Sequence, residues 1–372
     1  MSPFSKRVAI GGLGLVGAVL LAGGGISQGA TPAAEEAALL AGHEDAVTSV
    51  AYSPDGLALA TSSNDETLRI WDIASRSTIA VLTGHTGTIR SVAYSPDGAR
   101  IVSSSVDGTV RVWDSTTGDE LLLMEGVGTS GRRQAFTRAE FSSNGEMVIA
   151  GVFDSTARIW DAATGVELQV LDGHGGLVWL AGFSPDGRNA FTASYDNTAR
   201  IWDVETGEQL AVLNHDSLVS TAAFSPDGTM LVSGSADTTA RLWDVATGAE
   251  LAVLSGHSGE VRDVAFAPDG GLVATASNDG TVRLWNVATG DLSAVLMGHG
   301  DVVTSLAFSP GGGAIATASE DLTGRLWDSE TGRGIAVLAG HLGTVLDVAF
   351  SPDGAFVATS STDATVSVWI VP

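Results

Sequence analysis

Seven histidines, 43 carboxylates and no cysteine make up the reactive inventory of this 372-residue chain, whose single lysine is Lys6. Histidine is the side chain best matched to proton transfer and metal ligation near neutral pH. Here His43, His85, His174, His215, His257, His299 and His341 each stand 28 residues before a tryptophan, with a serine eight before it and an aspartate six before it. A group repeated in unit after unit reads as a buried hydrogen-bond partner rather than as a catalyst or metal ligand. With the histidines committed, no thiol and no lysine beyond Lys6, carboxylates are the common bases and nucleophiles that remain. Arginines two before the tryptophans, such as Arg69, Arg111 and Arg158, recur likewise and read as structural charges beside the Trp-Asp acids.

The elements that position these residues follow from the spacing. Trp71, Trp113, Trp160, Trp202, Trp243, Trp285, Trp327 and Trp369 are separated by 42, 47, 42, 41, 42, 42 and 42 residues. Such a period marks an array of supersecondary units, each unable to bury its apolar face alone. Between histidine and tryptophan lies Ser53-Pro54-Asp55-Gly56, repeated as Ser95-Pro96-Asp97-Gly98 and closely matched later. Proline presets φ and glycine accepts positive φ, so a tight hairpin is expected there. A second turn follows the tryptophan, as in 203–207, and the segments between, such as 198–202, alternate and are rich in Val, Ile, Ala, Thr and Phe. Four short antiparallel strands per unit are predicted.

Gly-His, then Ser-x-Asp, then Trp-Asp at a repeat of about 42 resembles the WD-repeat β-propeller family over residues 36–372. The resemblance implies an all-β, eight-bladed propeller of four-stranded antiparallel blades; seven blades with one unit displaced is the alternative. It also implies a hydrogen-bonded relay inside each blade, running from His43, Ser63, Asp65 and Trp71 in the first unit to His341, Ser361, Asp363 and Trp369 in the last. Asn286 and Ile370 replace the Trp-Asp acid in the sixth and eighth units. Unit three departs furthest: Arg132 stands at the histidine position and Val152 at the serine position, and five extra residues near 126–130 account for the spacing of 47. The last unit supplies three strands before Pro372, while Glu36–Ala41 aligns with 78–83, a fourth strand. An N-terminal strand is therefore expected to complete the last blade, removing an edge open to aggregation.

Net charge is −25, and 16 basic against 43 acidic residues, or −27, once Lys6 and Arg7 are set aside. That surface repels nucleic acid and anionic membranes at long range. Without cysteine there are no disulfides or thiolate metal sites. Residues 1–30 belong to another regime: Ser5-Lys6-Arg7 is a short basic start, 8–22 is uncharged and apolar, and small residues run through Gly29-Ala30. This order resembles a secretory signal peptide cleaved between Gly24 and Ala30; an uncleaved membrane anchor is the alternative, because the run approaches spanning length. The expected organisation is 1–30 signal peptide or anchor, 31–35 short linker and 36–372 propeller. An exported, bacterial-type member follows, secreted or periplasmic, meeting a membrane only through an uncleaved N-terminal segment.

Two motifs in the leading stretch carry no chemistry. Gly12-Leu13-Gly14-Leu15-Val16-Gly17 fits a dinucleotide pattern, but no strand precedes it and no βαβ unit follows. Gly25-Ile26-Ser27-Gln28-Gly29 fits a nucleophile elbow without a hydrolase sheet around it. The nearest catalytic rivals are eight-bladed quinone-dependent dehydrogenases, which share a Thr-Gly turn after an aspartate. Their docking tryptophan four residues past that glycine is Leu122 or Gln169 here, and no candidate metal site accompanies it. No enzyme activity, cofactor or metal is expected.

The favoured role is a non-catalytic scaffold presenting a propeller face to a protein or peptide partner, with self-association in an envelope assembly as the structural alternative. A binding site needs residues that break the repeat. In the family, two positions per blade look toward the channel mouth: the residue before the relay aspartate and the fifth after the histidine. The first row reads Asn64, Val106, Phe153, Tyr195, Ala236, Asn278, Glu320, Thr362, and the second Thr48, Arg90, Thr137, Trp179, Ser220, Arg262, Thr304, Leu346. All three aromatics fall in units three and four, and Trp179 is the one tryptophan outside the repeat position. The candidate partner-binding set is an apolar floor of Phe153, Trp179 and Tyr195, with Leu177 beside it and Arg132 and Arg133 at the rim for an acidic group. Rings that merely fill a wide channel are the plain alternative.

Overall fold

The computed structural model describes residues 31–126 and 133–372; the signal segment expected at 1–30 and Arg132 lie outside them. Blade one is Val47–Tyr52, Ala58–Ser63, Leu68–Asp72 and Ser77–Leu82, paired antiparallel in chain order. Six further blades repeat that pattern. In the eighth, Val345–Phe350, Phe356–Ser361 and Thr365–Ile370 are completed by Glu36–Ala41, with Leu40 opposite Val366 and Ala41 opposite Thr365. Eight sheets form one closed ring, as expected, and the seven-bladed alternative falls. The stretch expected as a linker is also engaged: Ala34 N–H donates to Val337 O and Val337 N–H to Pro32 O, both at 2.8 Å. Residues 32–34 thus lie along the outer strand of blade seven, Gly334–Ala339, before the chain enters blade eight.

The core is divided into layers between neighbouring blades. Ala60, Leu68, Ile70 and Leu82 of blade one meet Ile89, Val92, Ile101 and Trp113 of blade two. At the closure, Ala38, Leu40, Ala358, Val366 and Val368 meet Val47, Val50, Leu59 and Trp71. Each buried Leu or Ile contributes about 2 kcal/mol, and all of it depends on the adjacent blade. Turns follow the sequence signals. Gly56 takes φ +73° and its N–H reaches Ser53 O at 2.8 Å. Asp203 accepts both the N–H and the hydroxyl of Thr206 at 2.8 Å. Asn286 accepts the same pair from Thr289, because the turn needs only an acceptor.

Seven blades contain a relay, but not through the serines expected. His43 Nδ1–H donates to Asp65 at 2.8 Å, His43 Nε2 lies 2.8 Å from Thr61 Oγ1, and Trp71 Nε1–H donates to the same oxygen at 2.9 Å. An indole can only donate, so the hydroxyl accepts from Trp71 and gives its own proton to a neutral His43. The bridging hydroxyl elsewhere is Ser103, Thr192, Ser233, Thr275, Thr317 or Thr359. It stands ten residues before the tryptophan, not eight. Leu59 is opposite Trp71 in the ladder, so Thr61, two along on the same face, lies within reach of the indole while Ser63 at the strand end does not. Ser63 instead accepts Asp65 N–H and donates to Asp45 O, both at 3.0 Å, holding the loop. In blade three the aspartate stays, Asp154 accepting the N–H and hydroxyl of Thr156, but Ala150 and Val152 replace the hydroxyls, and the fully buried Phe136 meets Trp160 edge-on at 5.7 Å.

The recurrent arginines are structural, though their partners differ from the acids expected. Arg111 pairs with Glu120, Arg158 with Glu167 at 2.8 Å and Arg241 with Glu250 at 2.9 Å, each across to the outer strand. Arg200 and Arg241 also reach the relay aspartates Asp196 and Asp237.

Candidate functional site at the channel mouth

The innermost strands line the channel, and a register irregularity decides what they present to it. Val47 is paired with Ser63 and Ser49 with Ser62, leaving Thr48 as an extra residue. Such a bulge re-aims the side chain it carries. Arg90, Trp179, Ser220, Arg262, Thr304 and Leu346 occupy the same position in their blades. With Thr48 and Thr137 they line one cavity of about 310 Å³. This is the second row read from the sequence, and it faces the mouth as expected.

Around the ring the row alternates. Odd blades carry a small hydroxyl that turns toward its surroundings: Thr48 donates to Ile89 O at 2.6 Å, Ser220 to Val261 O at 3.0 Å and Thr304 to Val345 O at 2.7 Å. Even blades carry Arg90, Trp179, Arg262 and Leu346. Alternating small and large residues lets eight side chains share one opening.

The first row sits on loops fixed by main-chain bonds. Phe153 N–H donates to Ala135 O at 3.0 Å, and Tyr195 N–H to Leu177 O at 2.9 Å. Trp179 and Tyr195 stack with centroids 5.7 Å apart and planes 19° from parallel. The Arg90 guanidinium carbon lies 5.5 Å from the Phe153 ring centroid and 5.6 Å from that of Trp179. Phe153, Trp179 and Leu177 are half-buried, and Tyr195 is 42% exposed. The structure therefore brings the three predicted aromatics together, with Leu177 held beside them through the Tyr195 bond.

The charge at this floor comes from a residue that the candidate set left out. Arg133 is exposed and ion-paired with Glu125; Arg132 lies outside the described residues. Arg90 of blade two reaches across to both rings instead. Its place in the second row was visible, but contacts between neighbouring blades are not readable one row at a time. Burial lowers the Arg90 pKa from its ordinary value, with Tyr195 opposing.

Below the mouth, Arg138, Leu180, Thr221 and Asp263 also line a second cavity of about 490 Å³. Carboxylates here tie blade to blade. Asp347 accepts the hydroxyls of Ser49 at 2.9 Å and Ser305 at 3.1 Å. Asp263 accepts Leu306 N–H and Glu140 accepts Phe183 N–H, both at 2.9 Å. Burial pushes Asp263 up to about 6 and Glu140 up to about 7, against those N–H bonds and Arg138. Among the described residues, no three His, Asp or Glu side chains converge as a metal site requires.

Ring, relay and mouth together define a WD-type propeller. The family model described as WD domain, G-beta repeat, matches residues 35–72, 76–114, 129–161, 165–203, 207–244, 248–286, 290–328 and 332–369, and the chain belongs to that family. Its structure is similar to the crystal structure of the computationally designed Ika8 protein, with a TM-score of 0.81 and 32% identity, over 90% of this chain and 99% of that one. No curated protein matches the chain. Likeness of fold does not transmit a ligand.

Proposed function

We propose that this protein is a non-catalytic interaction scaffold that receives a protein or peptide partner at the channel mouth. The observation that carries the reading is the cluster of Phe153, Trp179, Tyr195 and Arg90 on an otherwise repetitive ring. Aromatic residues and arginine dominate interface energetics, and truncating one at an interface centre costs about 2 kcal/mol or more. WD propellers commonly serve as scaffolds for protein partners. The basic and then apolar residues of 1–30 favour work outside the cytoplasm, and a net charge of −25 disfavours nucleic acid.

The test is affinity capture from envelope extracts. Trp179→Ala should weaken capture about thirtyfold, the equivalent of roughly 2 kcal/mol, with little change in Tm. Thr304→Ser, which keeps the hydroxyl bonded to Val345 O, should bind as wild type. Equal binding by Trp179→Ala, or a large loss of stability, would return the rings to a space-filling role. Fractionation tests location: soluble cytoplasmic protein retaining residues 1–30 would contradict export.

A further inference from the structure

We propose that the mouth cavity recognises an acidic side chain, Asp or Glu, flanked by an apolar residue in the docked peptide, with Arg90 as its counter-charge. This rests on the mouth being the docking face. Arg111 and Arg241 sit against Glu120 and Glu250; Arg69, Arg283 and Arg325 share with Arg90 a buried Nε without an acceptor, but of these only Arg90 lines the mouth cavity. Arg90, in a chain with 43 acidic residues, makes no ion pair or hydrogen bond among the described residues, and its Nε is buried with no acceptor. Half-buried, and partnered only by the faces of two rings, this cation gains from an incoming anion.

The geometry suits a carboxylate. The guanidinium carbon stands over both the Phe153 and the Trp179 ring, and a guanidinium can offer two parallel N–H groups to one carboxylate. Those ring faces are already engaged by a cation, which argues against a basic ligand there. Arg138, exposed to the channel below, is already set against Asp263 and Glu140, which leaves Arg90 as the cation open to a ligand. The acids of the lining are set against cations other than Arg90: Arg138 acts on Asp263, whereas the charged group acting on Arg90 is Tyr195. Asp263 and Asp347 accept bonds from neighbouring blades, and Arg262 beside Glu320 in the cavity lining is held by Asn278 and Glu260. The positive, aromatic side of the mouth belongs to blades two to four. A cavity of about 310 Å³ admits a side chain rather than a folded element, and the Trp179–Tyr195 stack offers its neighbour an apolar wall.

The test is selection of displayed random heptapeptides on residues 31–372, followed by affinities of synthetic copies. Selected peptides should be enriched in Asp or Glu next to an apolar residue, and each should bind Arg90→Gln about tenfold more weakly or worse. Changing the peptide acid to its amide should cost as much, with no further loss when both changes are combined. Arg90→Lys, which keeps charge but not the planar fork, should fall between. Acidic peptides that bind Arg90→Gln as tightly as wild type overturn the proposal. Acid-free peptides that lose affinity for Trp179→Ala overturn it while leaving the mouth as the docking face; peptides indifferent to both variants, or no selection at all, overturn both.

Discussion

Thr192 holds a position that only a hydroxyl can fill. It accepts from Trp202 Nε1 at 2.8 Å and donates to His174 Nε2 at 2.6 Å, so Thr192→Val leaves two buried polar groups unpaired. The expected loss is about 1–3 kcal/mol in urea unfolding. Ala150→Thr in blade three should gain less than a full relay, because the new hydroxyl could accept from Trp160 Nε1 but Phe136 offers it no acceptor in return. Acid acts on the same relays. Burial lowers the pKa of His43, His174, His215 and His257, with the aspartate bonds only partly opposing. The unfolded chain then binds more protons just below pH 6.5, and stability contributed by these neutral rings is lost as pH falls through that region. For Asp65, Asp196, Asp237 and Asp279, burial works upward but is outweighed by bonds from Thr hydroxyls, backbone N–H groups and histidine, which hold them at about 2. Their contribution is present above the ordinary 3.8 and disappears toward pH 2. Glu140 has the opposite sign: raised to about 7, it favours folding more at low pH and less as pH rises from 4.5 to 7. Tm should therefore fall steeply between pH 4 and 2, and Glu140→Gln should make Tm rise more strongly with pH between 4.5 and 7. The histidine, aspartate and tryptophan of each relay were legible from spacing. The bridging hydroxyl recurs just as regularly, but choosing between two serine-or-threonine positions on one strand face needs the ladder register.

Strands and turns were the most readable scale, because Ser-Pro-Asp-Gly and the Asp-x-x-Thr-Gly turn state their chemistry locally, and because the two chain ends carry complementary parts of one blade. Deleting Glu36–Ala41 should uncover the Thr365–Ile370 edge and remove Ala38 and Leu40 from the closing core. Lower Tm together with self-association in size-exclusion chromatography is the expected outcome; a monomer of unchanged Tm would contradict the closure. Removing only 31–34 takes away the two bonds to Val337 and should cost about 1–2 kcal/mol. The bulge under the mouth row was not legible. It arises from pairing between strands, and a sequence pattern of one strand carries no sign of which residue its partner will skip.

At the scale of the whole molecule, seven blades are near copies and the remaining one, blade three, sits where the mouth becomes aromatic. Uniform units build a rigid ring; the departure at Phe153, Trp179 and Tyr195, joined by Arg90 from the adjoining blade, gives one sector a character the rest lacks. The aromatic half of that site was visible as a break in two rows, whereas the cation was not, since Arg90 acquires its role only through a neighbour 63 residues away at Phe153 and another at Trp179. The central claim is that this sector, rather than the ring as a whole, receives the partner. Hydrogen–deuterium exchange of the protein with and without its captured partner tests it most directly. Protection should rise over 88–92, 151–155, 176–181 and 193–197 and stay unchanged over 302–306 and 344–348; protection spread evenly around the mouth, or confined to the outer strands, would contradict the account.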